Sequence, residues 1–197
     1  ATHCSTSDNG ATATLIDRRD NNSYTIAKIN GACWMTQNLR LAGGTTLTTS
    51  DSNVTRNYTL PTTQLAGNRS SYTAPQTTIS SDTSYGGYYN YCAASAGTAC
   101  SSSSAQDATQ DICPKGWRLP TRAEQSGITS YVSAFSPVYS GSYDDGSLLY
   151  TGSGGLLWSA TARSSTDQHD LYYSGGELST NGHRKNRGCS VRCIRSS

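Results

Sequence analysis

Seven cysteines carry most of the chemistry this chain could do, and their number is odd: Cys4, Cys33, Cys92, Cys100, Cys113, Cys189 and Cys193. Three internal bridges would leave one thiol over. Cys189 and Cys193 could join His183 as metal ligands, but they lack the Cys-x2-Cys spacing that closes a tetrahedral zinc site. Ser159, His169 and Asp170 can be assembled into a hydrolase set, yet with 31 serines in the chain any His has a Ser nearby in sequence, so the grouping carries no information. Gly152-Ser153-Gly154-Gly155 lacks the Lys-Ser/Thr of a phosphate-binding loop and reads as a turn. Asp144-Asp145-Gly146 has carboxylates of the kind that suit Ca²⁺, but the string is equally a turn, and no metal or cofactor is assigned. Arg184, Lys185 and Arg187 would meet an anion or simply face solvent.

The elements that must position these groups are short and polar. The 197 residues include 31 Ser, 26 Thr and 19 Gly, and only 34% are hydrophobic even with 13 Tyr counted, which is lean for a core. Charged residues make up 14% and the net charge is +2, which disfavours nucleic acid as a general partner. No apolar run approaches the roughly 20 residues of a spanning helix. Short strands stapled by disulfides are the expected solution, and with it an oxidising compartment outside the cytoplasm or on the cell surface. The chain opens Ala1-Thr2-His3-Cys4 without a basic and then apolar lead-in, as a mature or trimmed ectodomain would. One domain over residues 1–197 is expected, of α+β class.

Residues 11–30 read as a hairpin, with Tyr24, Ile26 and Lys28 sharing one face of its second strand, and Asn30-Gly31 as a further tight turn into Cys33-Trp34-Met35. Residues 42–83 are rich in Thr, Ser, Gly and Asn and read as a loop-rich insertion. Thr121 with Glu124 has capping-box spacing and predicts a helix from about Arg122 to Ser133, weakened by Gly127. Strand-like runs follow at Ser147–Tyr150, Leu156–Thr161, Leu171–Ser174 and Ser190–Ile194.

Five strings in order resemble the Fibrobacter succinogenes major paralogous domain family, a bacterial branch of the C-type lectin-like fold. They are Cys33-Trp34-Met35-Thr36-Gln37-Asn38-Leu39, Tyr88-Tyr89-Asn90-Tyr91, Cys113-Pro114-Lys115-Gly116-Trp117-Arg118-Leu119-Pro120-Thr121, Leu157-Trp158-Ser159-Ala160-Thr161 and Ser190-Val191-Arg192-Cys193. The resemblance implies paired strands at the two chain ends, one or two helices, and a loop-rich half that carries binding. It also implies display on bacterial surface or pilus-like proteins. Where relatives carry an aromatic residue before Ser190, this chain has Cys189. After Leu119-Pro120-Thr121 it lacks the Trp often found in the helix and has Gln125 following Glu124. Spacing suggests the bridges Cys4–Cys33, Cys92–Cys100 and Cys113–Cys193, with Cys189 as the leftover thiol.

Enzymes that make formylglycine share the lectin-like fold and a Leu-Pro-Thr string, but the Cys189 and Cys193 pair has no catalytic signature of its own, and no enzyme activity is expected. The Glu-Pro-Asn or Gln-Pro-Asp triplets of calcium-dependent lectins are missing too, so the fold does not by itself imply sugar binding. A recognition surface is expected instead over residues 163–187, where Tyr, Ser, Asn, Asp, His and Arg are concentrated. Residues 158–193 are similar to the variable segment of a related group of lectin-like proteins, which retroelements diversify at adenines. An Asn codon changed only at its adenines reaches Tyr, Ser, His, Asp, Arg, Gly and Cys but never Gln, Lys or Glu. Gln168, Glu177 and Lys185 are therefore expected to be fixed scaffold. The expected ligand-binding set is Arg163, Asp167, His169, Asp170, Tyr173, Ser174, Asn181, His183, Arg184 and Asn186, directed to one outward surface above Leu171, Trp158 and Val191. Its partner would be a protein or glycan on another surface, with a pilus-like or filament subunit as the alternative reading.

Overall fold

The computed structural model describes Cys4 and residues 12–65, 73–102 and 106–196. Strands β1 (Thr12–Ile16) and β2 (Ser23–Ile29) pair antiparallel, and β3 (Ala32–Met35) returns alongside β2. Asn30 and Gly31 make the second turn with φ of 49° and 79°. Two successive positive φ angles match the right-handed strand twist, which is why Asn-Gly serves here. The first turn is fixed from inside. Arg19 forks onto buried Asp17 at 2.6 and 2.8 Å, and its Nη1 donates to the Ile112 carbonyl at 2.7 Å. The C-terminal strand (Ile194–Ser196) joins the sheet beside β3, at the edge opposite β1.

Alternation along this sheet feeds two cores rather than one. Tyr24, Ile26, Cys33 and Met35 enter the larger core, while Ala27, Ile29, Trp34 and Ile194 enter the second. Tyr24, Ile26 and Lys28 do share a face, but the opposite face is also covered, so burial is not one-sided.

The described residues of 42–83 are irregular, as expected, yet they are not an appendage. They hold β4 (Thr46–Leu47), β5 (Tyr58–Thr59) and β6 (Thr77–Ile79), and Leu47, Val54 and Leu60 are buried in the larger core. Next come β7 (Gly87–Tyr89) and the one-turn helix α1 (Tyr91–Ala94), capped by Asn90, whose side chain accepts from the Ala93 N–H at 3.0 Å. The Tyr88–Tyr91 string cross-braces the core through its hydroxyls. Tyr88 donates to the Ser140 carbonyl at 2.5 Å, Tyr89 to that of Leu41 at 2.9 Å, and Tyr91 to that of Ala160 at 2.8 Å.

The predicted helix over 122–133 is shorter and broken. Helix α2 (Arg122–Gly127) has the capping box, with Thr121 and Glu124 bonding each other's backbone N–H, but it stops before Ile128. A second turn of helix, α3 (Val132–Phe135), ends at Ser136 in the left-handed region, ahead of Pro137. Glycine at 127, the last residue of α2, leaves room for a neighbour from the first sheet. A Cβ there would lie 2.9 Å from Nδ2 of Asn30, which donates to the Gly127 carbonyl. Gln125 is buried and donates Nε2 to the Leu157 and Trp158 carbonyls, at 3.2 Å each.

The last third holds the hairpin β8 (Ser142–Asp144) and β9 (Ser147–Leu149), then β10 (Gly154–Ala162), β11 (Asp167–Ser174) and β12 (Glu177–Arg184); the C-terminal strand is β13. Strands β10, β11 and β12 form a three-stranded antiparallel sheet with β11 in the middle. This sheet too feeds both cores, with Leu156, Trp158 and Ala160 in the larger and Leu157, Leu171 and Leu178 in the second.

Three disulfides staple the elements: Cys4–Cys33, Cys92–Cys100 and Cys113–Cys193. Cys189 is free and fully buried, and burial pushes its thiol well above the ordinary range, which keeps it protonated. Iodoacetamide should therefore leave the native protein unlabelled and add one label after unfolding without reductant. Labelling of the native fold would contradict this placement.

Candidate functional site

The strand register decides where the expected recognition residues go. In β11 and β12, Asp167 lies opposite Arg184, Gln168 opposite His183, His169 opposite Gly182, and Asp170 opposite Asn181. Facing residues share a side of the sheet and successive residues alternate. Asp167, His169, Tyr173 and Arg184 therefore start from one face, and Asp170, Ser174, Asn181 and His183 from the other. The expectation of one outward surface for the whole set is corrected accordingly. Arg163, Asn181 and Arg184 are exposed, while Asp167, His169, Tyr173, Ser174, His183 and Asn186 are half-buried.

Asp170 departs furthest, because it is 0% exposed. It lies opposite Trp158 as well as Asn181, on the side of the sheet that feeds the larger core. Its Oδ2 is 2.8 Å from Nδ1 of His183, and its Oδ1 has no hydrogen-bond partner among the described residues. Asp170 thus acts from behind, orienting the His183 ring. The hydrolase grouping dissolves: Ser159 Oγ donates to the backbone carbonyl of His169, and Nδ1 of His169 lies 3.3 Å from the Asn181 carbonyl oxygen. Burial, with Arg122 and Arg163 nearby, moves the His169 imidazole below its ordinary range.

One hollow gathers several members of the expected set. It measures about 290 Å³ and is lined by Asp144, Asp167, Gly182, His183, Arg184 and Arg187. Asp144 comes from β8, where Asp145 and Gly146 make the turn with φ of 55° and 75°. Arg187 reaches back to pair with the Asp144 carboxylate. Asp167 is held from the other side, its Oδ2 accepting from Ser164 Oγ at 3.1 Å and Thr166 Oγ1 at 3.0 Å. Gly182 lets Arg163 lie across the strand, since a Cβ there would come within 2.5 Å of Nη1 of Arg163. Sequence reasoning missed Asp144 and Arg187 as neighbours because 43 residues separate them. In the sequence Asp144 stood out only as part of the Asp144-Asp145-Gly146 string, a turn with carboxylates of the kind that suit Ca²⁺.

Beneath the hollow the scaffold is rigid. Gln168 is buried, with Nε2 donating to the Ser159 and Thr161 carbonyls at 2.9 and 2.6 Å. Lys185 is buried too, donating Nζ to the Ser102 carbonyl at 2.8 Å and lying 5.4 Å from the Tyr91 ring centroid. Glu177, by contrast, is exposed at the β11–β12 turn. Burial pushes the Lys185 ammonium down from 10.5 to about 8. A base whose folded value is depressed is given up earlier by the folded state than by the unfolded chain, so stability rises as pH climbs between those two values. Lys185→Met should remove that rise, about 2 kcal/mol in the difference between urea titrations at pH 7.5 and 10. Parallel curves for the two proteins would contradict it.

Among the described residues no group of three His, Cys, Asp or Glu is placed to hold a metal ion, and Cys193, proposed with His183 and Cys189, is spent in a disulfide. No described helix is long and apolar enough to cross a membrane. Fold and hollow together define a disulfide-stapled α+β domain with short antiparallel strands, its C-terminal sheet presenting a polar, mixed-charge concavity. The Fibrobacter succinogenes major domain model matches residues 27–134, more than half of the chain, and the chain belongs to that family. The match begins within β2, takes in β3, α1 and α2, ends within α3 and stops short of the β10–β12 sheet. No curated protein and no solved structure matches the chain.

Proposed function

We propose that this chain is an extracellular, surface-displayed recognition domain of C-type lectin-like fold, binding a protein or glycan through its C-terminal sheet. The observation that carries the reading is the contrast within one hairpin. Exposed Arg184 lines a mixed-charge hollow together with half-buried Asp167 and His183, while Gln168, Leu171 and Lys185 of the same strands and turn are buried and hydrogen-bonded or packed in the core. Variable contacts on a rigid support are what a binding surface needs. Three disulfides fit an oxidising compartment. Retroelement diversification belongs to the same reading, restricted now to the positions that are not buried; a near-identical template copy with adenines at those codons supports it, and a locus without one excludes it.

The test is an array of surface glycans and surface proteins probed with the wild type and with Arg163→Ala/Asn181→Ala/Arg184→Ala. All three changes are at exposed positions and should leave the melting temperature within a few degrees. The wild type is expected to select a small subset of ligands that the triple variant loses. Equal selection by both proteins would place recognition elsewhere.

A further inference from the structure

The side chains lining the hollow form two chemical groups. Arg184 is exposed and makes no side-chain hydrogen bond among the described residues, and Arg187, already paired with Asp144, supplies a second guanidinium. Arg163 lies against Gly182 at the rim. These are donors with a fork that matches a carboxylate. Asp144, Asp167 and His183 are the other group. Each carboxylate uses one oxygen, Oδ2, in the contacts given above and keeps Oδ1 for a donor. Nδ1 of His183 is engaged by Asp170, which leaves Nε2 as the ring nitrogen for a ligand. At a side-chain exposure of 23%, His183 is accessible while its partner Asp170 is not.

An isolated inorganic anion would satisfy the guanidinium groups and leave three acceptors facing it. An acidic peptide side chain has the same defect, because it brings a carboxylate but no row of hydroxyl donors. A neutral sugar does the reverse. The ligand that answers both groups carries one carboxylate and several hydroxyls on a compact ring. A volume of about 290 Å³ accommodates one such ring rather than a long segment.

We propose that the hollow between β8 and the end of β12 binds a hexuronate residue of an acidic glycan. Its carboxylate lies on Arg184, with Arg187 and Arg163 adding positive charge, and its hydroxyls donate to Asp144, Asp167 and Nε2 of His183. This deepens the recognition reading above and rests on it. Asp170 is a positioning residue, fixing the His183 ring without touching the sugar.

The experiment is calorimetric titration of the full chain with trimers of galacturonate and of mannuronate, alongside neutral galactotriose. Arg184→Ala, at an exposed position, is the first variant, and Asp167→Asn tests the hydroxyl side independently of the carboxylate side. At least one acidic trimer should bind, with galactotriose about tenfold weaker or more, and Arg184→Ala should lose about tenfold toward that trimer. Asp167→Asn should weaken galactotriose, because an amide N–H replaces one carboxylate oxygen as acceptor, and should weaken the acidic trimer less, because it also removes a negative charge beside the ligand carboxylate. Salt should weaken the acidic trimer and leave galactotriose unchanged. Equal binding of acidic and neutral trimers, binding by neither acidic trimer, or an unaffected Arg184→Ala would each overturn the hexuronate assignment. A ligand of another class that the array finds and the triple variant loses would overturn it too, while leaving the recognition surface standing. If nothing on the array depends on the hairpin, the broader reading fails instead.

Discussion

Replacing Cys113 and Cys193 together by alanine is expected to lower folding stability by about 4 kcal/mol. The bridge spans a sequence separation of 80 residues, against 29 and 8 for the other two, so its removal returns the most freedom to the unfolded chain. It also ties the segment before α2 to the segment entering β13. Arg118 pairs with Ile194 through both backbone bonds at 2.9 Å, and that contact would then stand without its covalent neighbour. Both sulfurs are fully buried, so the alanines add a small packing loss. Urea denaturation under oxidising conditions checks the figure, and a loss below about 1 kcal/mol would mean that the unfolded chain is already compact in this region.

Arg192→Met is expected to cost about 3 kcal/mol, although it replaces a buried charge by an apolar chain of similar length. Arg192 is 1% exposed and has no carboxylate among its hydrogen-bond partners. Its Nε donates to Asn38 Oδ1 at 2.8 Å, Nη1 to the Phe135 carbonyl at 2.6 Å and Nη2 to the Ser136 carbonyl at 3.1 Å. The guanidinium also lies 4.5 Å from the Phe135 ring centroid. Burial opposes the charge and lowers the guanidinium's pKa, but taking the donors away strips this partner from two buried acceptors, Asn38 Oδ1 and the Phe135 carbonyl, and from the Ser136 carbonyl at the end of α3. Arg192→Lys should recover only part of the loss, since one ammonium cannot reproduce the three-way fork. If Met proves as stable as Arg, the network is replaceable and the end of α3 is held by packing alone.

How much of this was legible beforehand follows from the range of each interaction. The Asn30-Gly31 turn and the Thr121/Glu124 capping box are local, and each holds in the structure. The family resemblance implied that the two chain ends pair; the C-terminal strand enters the same sheet as the first strands, but it pairs with β3 and not with β1, the strand nearest the other chain end. Strand β12 was not legible, because Leu178 is its only fully buried residue and the rest reads as a polar loop. The weakness at Gly127 was legible from the glycine itself, but its contact with Asn30 across the fold is one that no local pattern reveals. Asp170 has a surface residue's composition and a core residue's address. Only the register beside Trp158 and the bond to His183 show that it supports the site rather than forming its face. The hollow itself needs Asp144 and Arg187 brought together across the sheet, a tertiary fact absent from any short motif.

The central claim is that recognition resides on the β11–β12 hairpin and the hollow at its end. Hydrogen–deuterium exchange, measured with and without the strongest ligand selected on the array, tests it most directly. Protection is expected in peptides covering residues 163–187 and in the β8 peptide carrying Asp144, with the β1–β2 hairpin and residues 42–65 unchanged. Protection confined to β1–β2 or to 42–65, with 163–187 unaffected at saturation, would contradict it.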